Sequence, residues 1–521
     1  MPLKTSASAA LLVILSAGSA VAQNAGTVVA AASKAMGADT LTSITYSGTA
    51  RNGAFGQSKS IGDPLGPVNV TQITQYTRAV NFGQPADPTA LVSRATGPTQ
   101  PPTVPGTPPP MPGVFNQNIT GMQATNNWTQ ALNIWTTPWG FLKGAAANKA
   151  TVRQEGGQQV VSFTPPGFMS PSGQPYSVTG YINKENMVTK VETRVEHAVV
   201  GDLLVEFEYS GYQNRNGVQV PGRIVQRQAG LQTFDANIAA GTPNPANLTE
   251  LLTPPPPPAR AGGPPGAGAP AGAPGAGGQR GGGAPGAGAP GAGGAGGGQA
   301  EAPPVERLGE GAFKIGGNYT SLAIDMGDHI LVVESGQNDA RGLAVMAAAK
   351  QAIPNKPIRF VVNSHPHFDH ASGLAAAVAE GSTILTHRNN EQVLERLLSG
   401  PRTLIGDSLS KVTNRRTNVV DATGDRDVRK GSNGKIVELV HIPNEHSDGM
   451  LVVYLPAEKA LWSADITAVN PTPAQAGILK SVTDGLTRLK IDYNAWIQAH
   501  PPNPDRPLTR ADVMTALGAS K

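Results

Sequence analysis

Residues 254–304 set the first limit on the fold, because 19 Gly, 13 Pro and 14 Ala fill most of these 51 positions. Such a segment has almost no side-chain surface to bury and cannot form a core. It lacks the strict Gly-x-y period of a collagen strand. The expectation is a disordered linker, tolerated because loop-closure entropy grows only slowly with length. Two blocks remain, 23–253 and 305–521, each long enough to enclose a core. The chain has no cysteine, which excludes disulfides, thiolate metal ligands and thiol nucleophiles. Its formal charge is +4 with no basic run, so nothing points to a nucleic-acid partner.

Residues 1–22 read as a signal peptide. Lys4 supplies the positive start, Ala9–Ile14 the short apolar core, and Ala20-Val21-Ala22 the small-x-small cleavage site before Gln23. That apolar run is far below the ~20 residues that span a bilayer, and no later stretch is apolar enough to do so. The mature protein is expected to be periplasmic or secreted, without a transmembrane segment. Oligomeric state is not legible in the residues.

The block 23–253 reads as a β-rich antiparallel domain. A short helix over 24–36 ends at Gly37. Strand-like runs follow at 43–50, 70–80, 158–163, 176–182, 187–195, 203–211 and 222–228. A Pro-rich loop, Pro98–Gly113, is expected to interrupt the sheet, since Pro at that density denies strand pairing. Trp128, Trp135 and Trp139 are expected in its core. In its succession of strands and its address, this block resembles periplasmic lipoprotein-carrier sheets.

Past residue 305 strands and helices alternate. Strands are expected at 322–327, 329–336, 357–364, 382–387, 435–442, 449–456 and 459–466, and helices at 340–353, 372–381 and 389–400. Thr509 and Asp512 form a capping box for a last helix. This order suits sheets with helices on their outer faces.

Eight of the nine histidines lie in this block, three of them in His365-Pro366-His367-Phe368-Asp369-His370. The hexapeptide follows an apolar strand and precedes a helix. A turn there aims His365 and His367 into one cleft and leaves Asp369 and His370 beside it. Imidazole and carboxylate donors suit Zn²⁺, and also Fe or Mn.

On this motif residues 305–521 resemble the metallo-β-lactamase superfamily of metallohydrolases. The resemblance implies an α/β fold, the metallo-β-lactamase-like αβ/βα four-layer sandwich. It also implies a ligand set completed by His446 in Pro443–Gly449, Asp465 in Leu461–Asp465 and His500 in Ile497–Pro501. His365, His367 and His446 would hold one ion, and Asp369, His370 and His500 a second. Asp465 would bridge them with one oxygen to each. Two Zn²⁺ per chain are expected, with a bridging hydroxide attacking a small-molecule substrate and Asp369 orienting it.

The sequence departs from the family pattern at two positions. The last ligand stands in Ala499-His500-Pro501 rather than Gly-His-Gly, and Glu334 replaces an aspartate. Thiolate-ligated β-lactamase classes are excluded, and the remaining class lacks an acid like Asp465. Esters, thioesters, lactones or sulfate esters are therefore expected ahead of β-lactams. The rivals are a mononuclear iron oxygenase like the persulfide dioxygenases, and a periplasmic carrier with a vestigial metal site. Of the other histidines, His387 is a candidate for reaching the cleft. His329 and His441 read as structural, His197 has no partner pattern, and Tyr454 reads as core.

Overall fold

Helix Ala25–Met36 begins at Asn24, whose side chain accepts the N–H of Gly26, and ends at Gly37 with φ +66°. The Ala38 N–H then closes on the Ser33 carbonyl at 2.8 Å, a glycine-terminated helix end of the expected kind. The computed structural model describes residues 24–83, 92–102, 112–120, 134–254, 302–469 and 471–518. The expected signal peptide, Trp128 and nearly all of the Gly/Pro/Ala tract lie outside the described residues.

The first block is an eleven-stranded antiparallel sheet. Its spatial order is Gly113–Thr120, Val92–Gln100, Thr71–Asn81, Ser43–Asn52, Leu231–Pro243, Arg223–Gln228, Gly201–Ser210, Val188–His197, Val178–Ile182, Gln158–Phe163 and Thr151–Glu155. Helices Ala25–Met36 and Pro138–Ala147 pack against each other and against this sheet. Trp139 is fully buried, with its ring 6.1 Å from Tyr46 and 6.5 Å from Phe82. Trp135 is buried beside it, as expected of core.

The Pro-rich stretch corrects one expectation. Pro98 lies inside strand Val92–Gln100 and stands opposite Val114. On its other side the pairing with Thr71–Asn81 skips between Ile73 and Thr77, so neither Gly97 nor Pro98 has a partner there. A bulge at that point removes the demand for the N–H that proline lacks.

The second block is a sandwich of two sheets. One contains Val305–Gly309, Ala312–Ile315, Ser321–Asp325, Ile330–Val333, Ile358–Val362, Thr383–His387 and Val420–Thr423 in that order, antiparallel at first and parallel from Ile330–Val333 onward. The other contains Arg426–Lys430, Ile436–His441, Leu451–Leu455, Ala460–Ser463 and Ala495–Gln498, with only the last pair parallel. Alternation along the strands assigns the faces. Leu322, Ile324, Leu331, Val333, Val362 and Leu385 join Val437, Leu439, Leu451 and Val453 between the sheets. Ala323, Ile330, Val332, Val361 and Ile384 face outward onto helices Asp339–Ala352, Leu374–Ala379 and Arg388–Leu398. Helices Pro473–Arg488 and Arg510–Gly518 cover the second sheet through Leu479, Val482, Leu486 and Val513. The layers run helix, sheet, sheet, helix, which is the αβ/βα order expected.

The two blocks share one apolar cluster, in which Val199 and Val200 lie with Phe368, Leu397 and Leu404. Polar ties seal the contact. Arg402, fully buried, donates to the carbonyls of Val199 (2.8 Å) and Ala198 and pairs with Asp407. Asp202 accepts from the Leu404 N–H at 2.9 Å and the Thr403 hydroxyl at 2.7 Å. Packing therefore joins the two blocks directly.

Candidate metal centre

Each side chain of the centre lies on the loop or short helix that follows a strand. The strand Ile358–Val362 runs into buried Asn363 and Ser364, and the chain then turns through His365–His367 into the short helix Phe368–Ala371. The Ser364 carbonyl accepts the N–H of Leu451 at 2.7 Å, which ties this corner to the second sheet. Asn444 turns the next loop by accepting the N–H groups of His446 (2.8 Å) and Ser447 (3.2 Å). Asp465 follows Ala460–Ser463 with φ +48°. That left-handed conformation costs a non-glycine residue of order 1–3 kcal/mol and is held only where the surroundings demand it. His500 follows Ala495–Gln498, and the backbone of Ala499 is paired on both sides, to Ser463 and Thr320, at 2.8 Å.

All seven expected residues come together in two groups that share one carboxylate. His365, His367, His446 and Asp465 form the first, and Asp369, His370, Asp465 and His500 the second. The Nε2 atoms of His365 and His446 are 3.1 Å apart, and those of His370 and His500 are 3.2 Å apart. Two imidazoles on one tetrahedral Zn²⁺, at ~2.0–2.1 Å from it, place their nitrogens ~3.3 Å apart. Asp465 Oδ2 lies 3.1 Å from His365 Nε2, 3.0 Å from His446 Nε2 and 3.1 Å from His370 Nε2, while its Oδ1 lies 2.7 Å from His500 Nε2.

A further observation tests whether these donors fit a cation. His367 Nε2 is 3.1 Å from the carbonyl oxygen of Ser58. A carbonyl only accepts, so the proton sits on Nε2 and the lone pair on Nδ1. That Nδ1 is buried and has no hydrogen-bond partner. A buried acceptor without a donor is costly, and a cation at the first group removes the cost. The donor set of imidazoles and carboxylates suits Zn²⁺, Fe or Mn alike.

Electrostatics agree with the geometry. Burial and the neighbouring His367 and His370 push His365 well below its ordinary pKa. Burial and His446 lower His367 to about 4. Burial opposes charge on His370, yet the carboxylates of Asp465 and Glu334 raise it well above the usual histidine value. Burial likewise opposes charge on Asp465, but His370 and the hydrogen bonds from His365, His370 and His446 hold its carboxyl well below the usual range. His365 and His367 are therefore neutral beside a fixed anion, and the proton on His370 is one that a bound cation displaces.

Two contributors were not singled out as site residues in the sequence. Glu334, buried at φ +65°, accepts from the Ser364 hydroxyl at 2.6 Å and stands 3.4 Å from His370 Nδ1. Its signal was the family departure itself. Tyr319 precedes strand Ser321–Asp325, and its ring lies 4.5 Å from that of His500 and 5.7 Å from that of His370. Burial, Asp369 and Asp465 raise its phenol above the ordinary value, so the hydroxyl stays protonated. Arg341 fixes that loop by donating to the carbonyls of Gly316 (2.9 Å) and Tyr319 (2.7 Å). No sequence pattern marks Tyr319.

The remaining histidines sort differently. His387 Nε2 lies 3.2 Å from Asp425, and its ring stacks on His441 at 4.1 Å; it joins neither donor group. His329 pairs with Asp328, and Tyr454 is core with its hydroxyl on the Asp492 carbonyl. His197 has structural partners that its sequence did not signal: its ring lies 4.5 Å from Phe368 and its Nδ1 accepts from Val199 and Val200.

A sequence model of the metallo-beta-lactamase superfamily matches residues 316–499. Among curated proteins, the alpha subunit of a 2,4-dinitroanisole O-demethylase from Nocardioides sp. (strain JS1661) is 24% identical over 161 residues, 30% of this chain and 43% of that protein. The match thus spans less than half the length of that relative. Among solved structures, a metallo-beta-lactamase from Hirschia baltica is 18% identical with a TM-score of 0.31, covering 42% of this chain and 98% of its own. A stereoselective inverting sec-alkylsulfatase from Pseudomonas sp. is also 18% identical, with a TM-score of 0.30, covering 42% of this chain and 41% of its own.

Proposed function

We propose that the metallo-beta-lactamase superfamily domain at residues 316–499 makes this chain an exported hydrolase, using two bound metal ions, most simply Zn²⁺, to cleave an ester, thioester, lactone or similar bond in a small molecule. One observation carries the reading: the Asp465 carboxylate contacts histidines of both groups, so a single residue would serve both ions. When bound, such a pair supplies Lewis-acid polarisation and lowers the pKa of water from ~15.7 toward ~7.

The chain's own residues supply the rest. Asp369 is half-exposed at the rim, with one oxygen held by Gln57 at 2.8 Å and the other facing His370 and His500. It orients the attacking water and takes up its proton. Tyr319, protonated, fixed by Arg341 and with its hydroxyl interacting with Asp369, would donate to oxygen on the substrate as charge builds there. One water is consumed: its oxygen bonds to the electrophilic centre, the bond to the leaving group breaks, and a proton passes to that group.

Purified full-length protein should be assayed for bound metals and screened against lactone, thioester, sulfate-ester and β-lactam panels. The relative's O-demethylase activity supports adding an aryl methyl ether. Turnover of an ester-like substrate that ceases on chelation supports the reading. A β-lactam as the sole good substrate contradicts it.

A further inference from the structure

Residues 53–70 connect strands Ser43–Asn52 and Thr71–Asn81 of the N-terminal sheet, and within them Gly56–Lys59 lies on the loops that carry the metal-centre histidines. We infer that this segment belongs to the metal centre: Ser58 sets the coordinating face of His367, and Gln57 sets the coordinating oxygen of Asp369, so the N-terminal block governs how tightly the second ion is held. The inference rests on the two-ion reading above.

The contact to His367 decides a tautomer. The Ser58 carbonyl takes the Nε2 proton at 3.1 Å and leaves the buried Nδ1 as the free lone pair. The contact to Asp369 engages one of its two oxygens. Gln57 Nε2 donates to Oδ1 at 2.8 Å, and Oδ2 is left 3.4 Å from His370 Nε2 and 3.9 Å from His500 Nε2. Partners of this kind behind metal ligands typically alter affinity 10–100-fold.

The segment is built to stay there. The Gly56 carbonyl accepts the Phe368 N–H at 3.0 Å, and Phe55 meets the Phe368 ring edge-on at 5.0 Å. Gly56 has φ +74°, and a Cβ there would sit 2.0 Å from the Phe368 ring, so only glycine allows this approach. Lys59 pairs with Glu445 at 2.8 Å, and its carbonyl accepts the Asp448 N–H at 2.9 Å, on the loop of His446. Both ligand loops are thus held by one piece of the other block. Gln57 and Ser58 are positioning residues, acting only through His367 and Asp369.

The test is a chelator-competition titration of full-length protein with Zn²⁺, alongside the visible spectrum of the Co²⁺-loaded form, for wild type, Gln57→Ala and Gln57→Met, whose side chain keeps a similar length without the amide. Wild type should take up two ions. In both variants the second dissociation constant should rise roughly 10–100-fold while the first moves less than about 3-fold. The Co²⁺ spectrum should change at the second equivalent only, with the melting temperature of the metal-free protein unaltered. Two ions bound with unchanged affinities in both variants overturn this inference and leave the proposed function standing. Failure of wild type to bind two ions overturns the function itself.

Discussion

The carboxylate of Glu334 stands 3.4 Å behind Nδ1 of His370, with the ligand-side Nε2 of the same ring 3.1 Å from Asp465. An anion behind a coordinating imidazole fixes the ring and raises its donor strength. Glu334→Gln keeps the shape and the contact to Ser364 but removes the charge. The expected outcome is a roughly 10–100-fold weaker second ion in a competition titration. Unchanged affinity would assign Glu334 to the packing of the Ser364 corner alone.

Tyr319→Phe removes one hydroxyl and keeps the ring 4.5 Å from that of His500. If the hydroxyl serves the reacting oxygen, kcat falls by roughly 10²–10³-fold, as for the loss of one oxyanion donor, while metals per chain stay at the wild-type count. Kinetics with a lactone or thioester, paired with metal analysis, separate that from a loss of metal.

His197 makes the contact between the blocks sensitive to acid. Burial, reinforced by Arg402, lowers its pKa to about 3, against an ordinary value of 6.5. Between those values the unfolded chain binds the proton and the folded chain does not, so stability is full above 6.5 and is lost as pH falls toward 3. At 1.36 kcal/mol per unit, the loss from this residue reaches about 2 kcal/mol at pH 5. Urea unfolding of metal-free wild type and His197→Gln at pH 7.5 and pH 5 should show the wild type losing about that much more. Parallel losses in the two proteins would contradict it.

Arg402→Ala leaves Asp407 as a buried charge without its partner and leaves the carbonyls of Ala198 and Val199 without a donor. Removing one partner of such a pair typically costs 3–5 kcal/mol. Denaturant unfolding should show a loss near that size, and a change within about 1 kcal/mol would mean that the contact between the blocks is carried by apolar packing instead.

Much of this was legible in the residues because the chemistry was local. The apolar strand that runs into His365–His370 announces that corner and its donors. His446, Asp465 and His500 were legible only through the resemblance, and the structure brings His500 within 3.2 Å of His370. What the sequence hid depends on long-range packing. Pro98 reads as a strand breaker, yet a bulge in the neighbouring strand makes room for it. Gln57 and Ser58 carry no motif, and they lie 312 and 309 positions from the residues they hold. Tyr319 and His197 are isolated in sequence, and only the closing of the fold gives them partners.

The most direct test is a count of ions in native full-length protein, by elemental analysis after purification without chelator, beside Asp465→Ala. Two ions in wild type, with at most one and no turnover in the variant, is the predicted result. An Asp465→Ala protein that keeps two ions and full activity, or a folded wild type that takes up none when offered Zn²⁺, Fe²⁺ or Mn²⁺, would contradict the account.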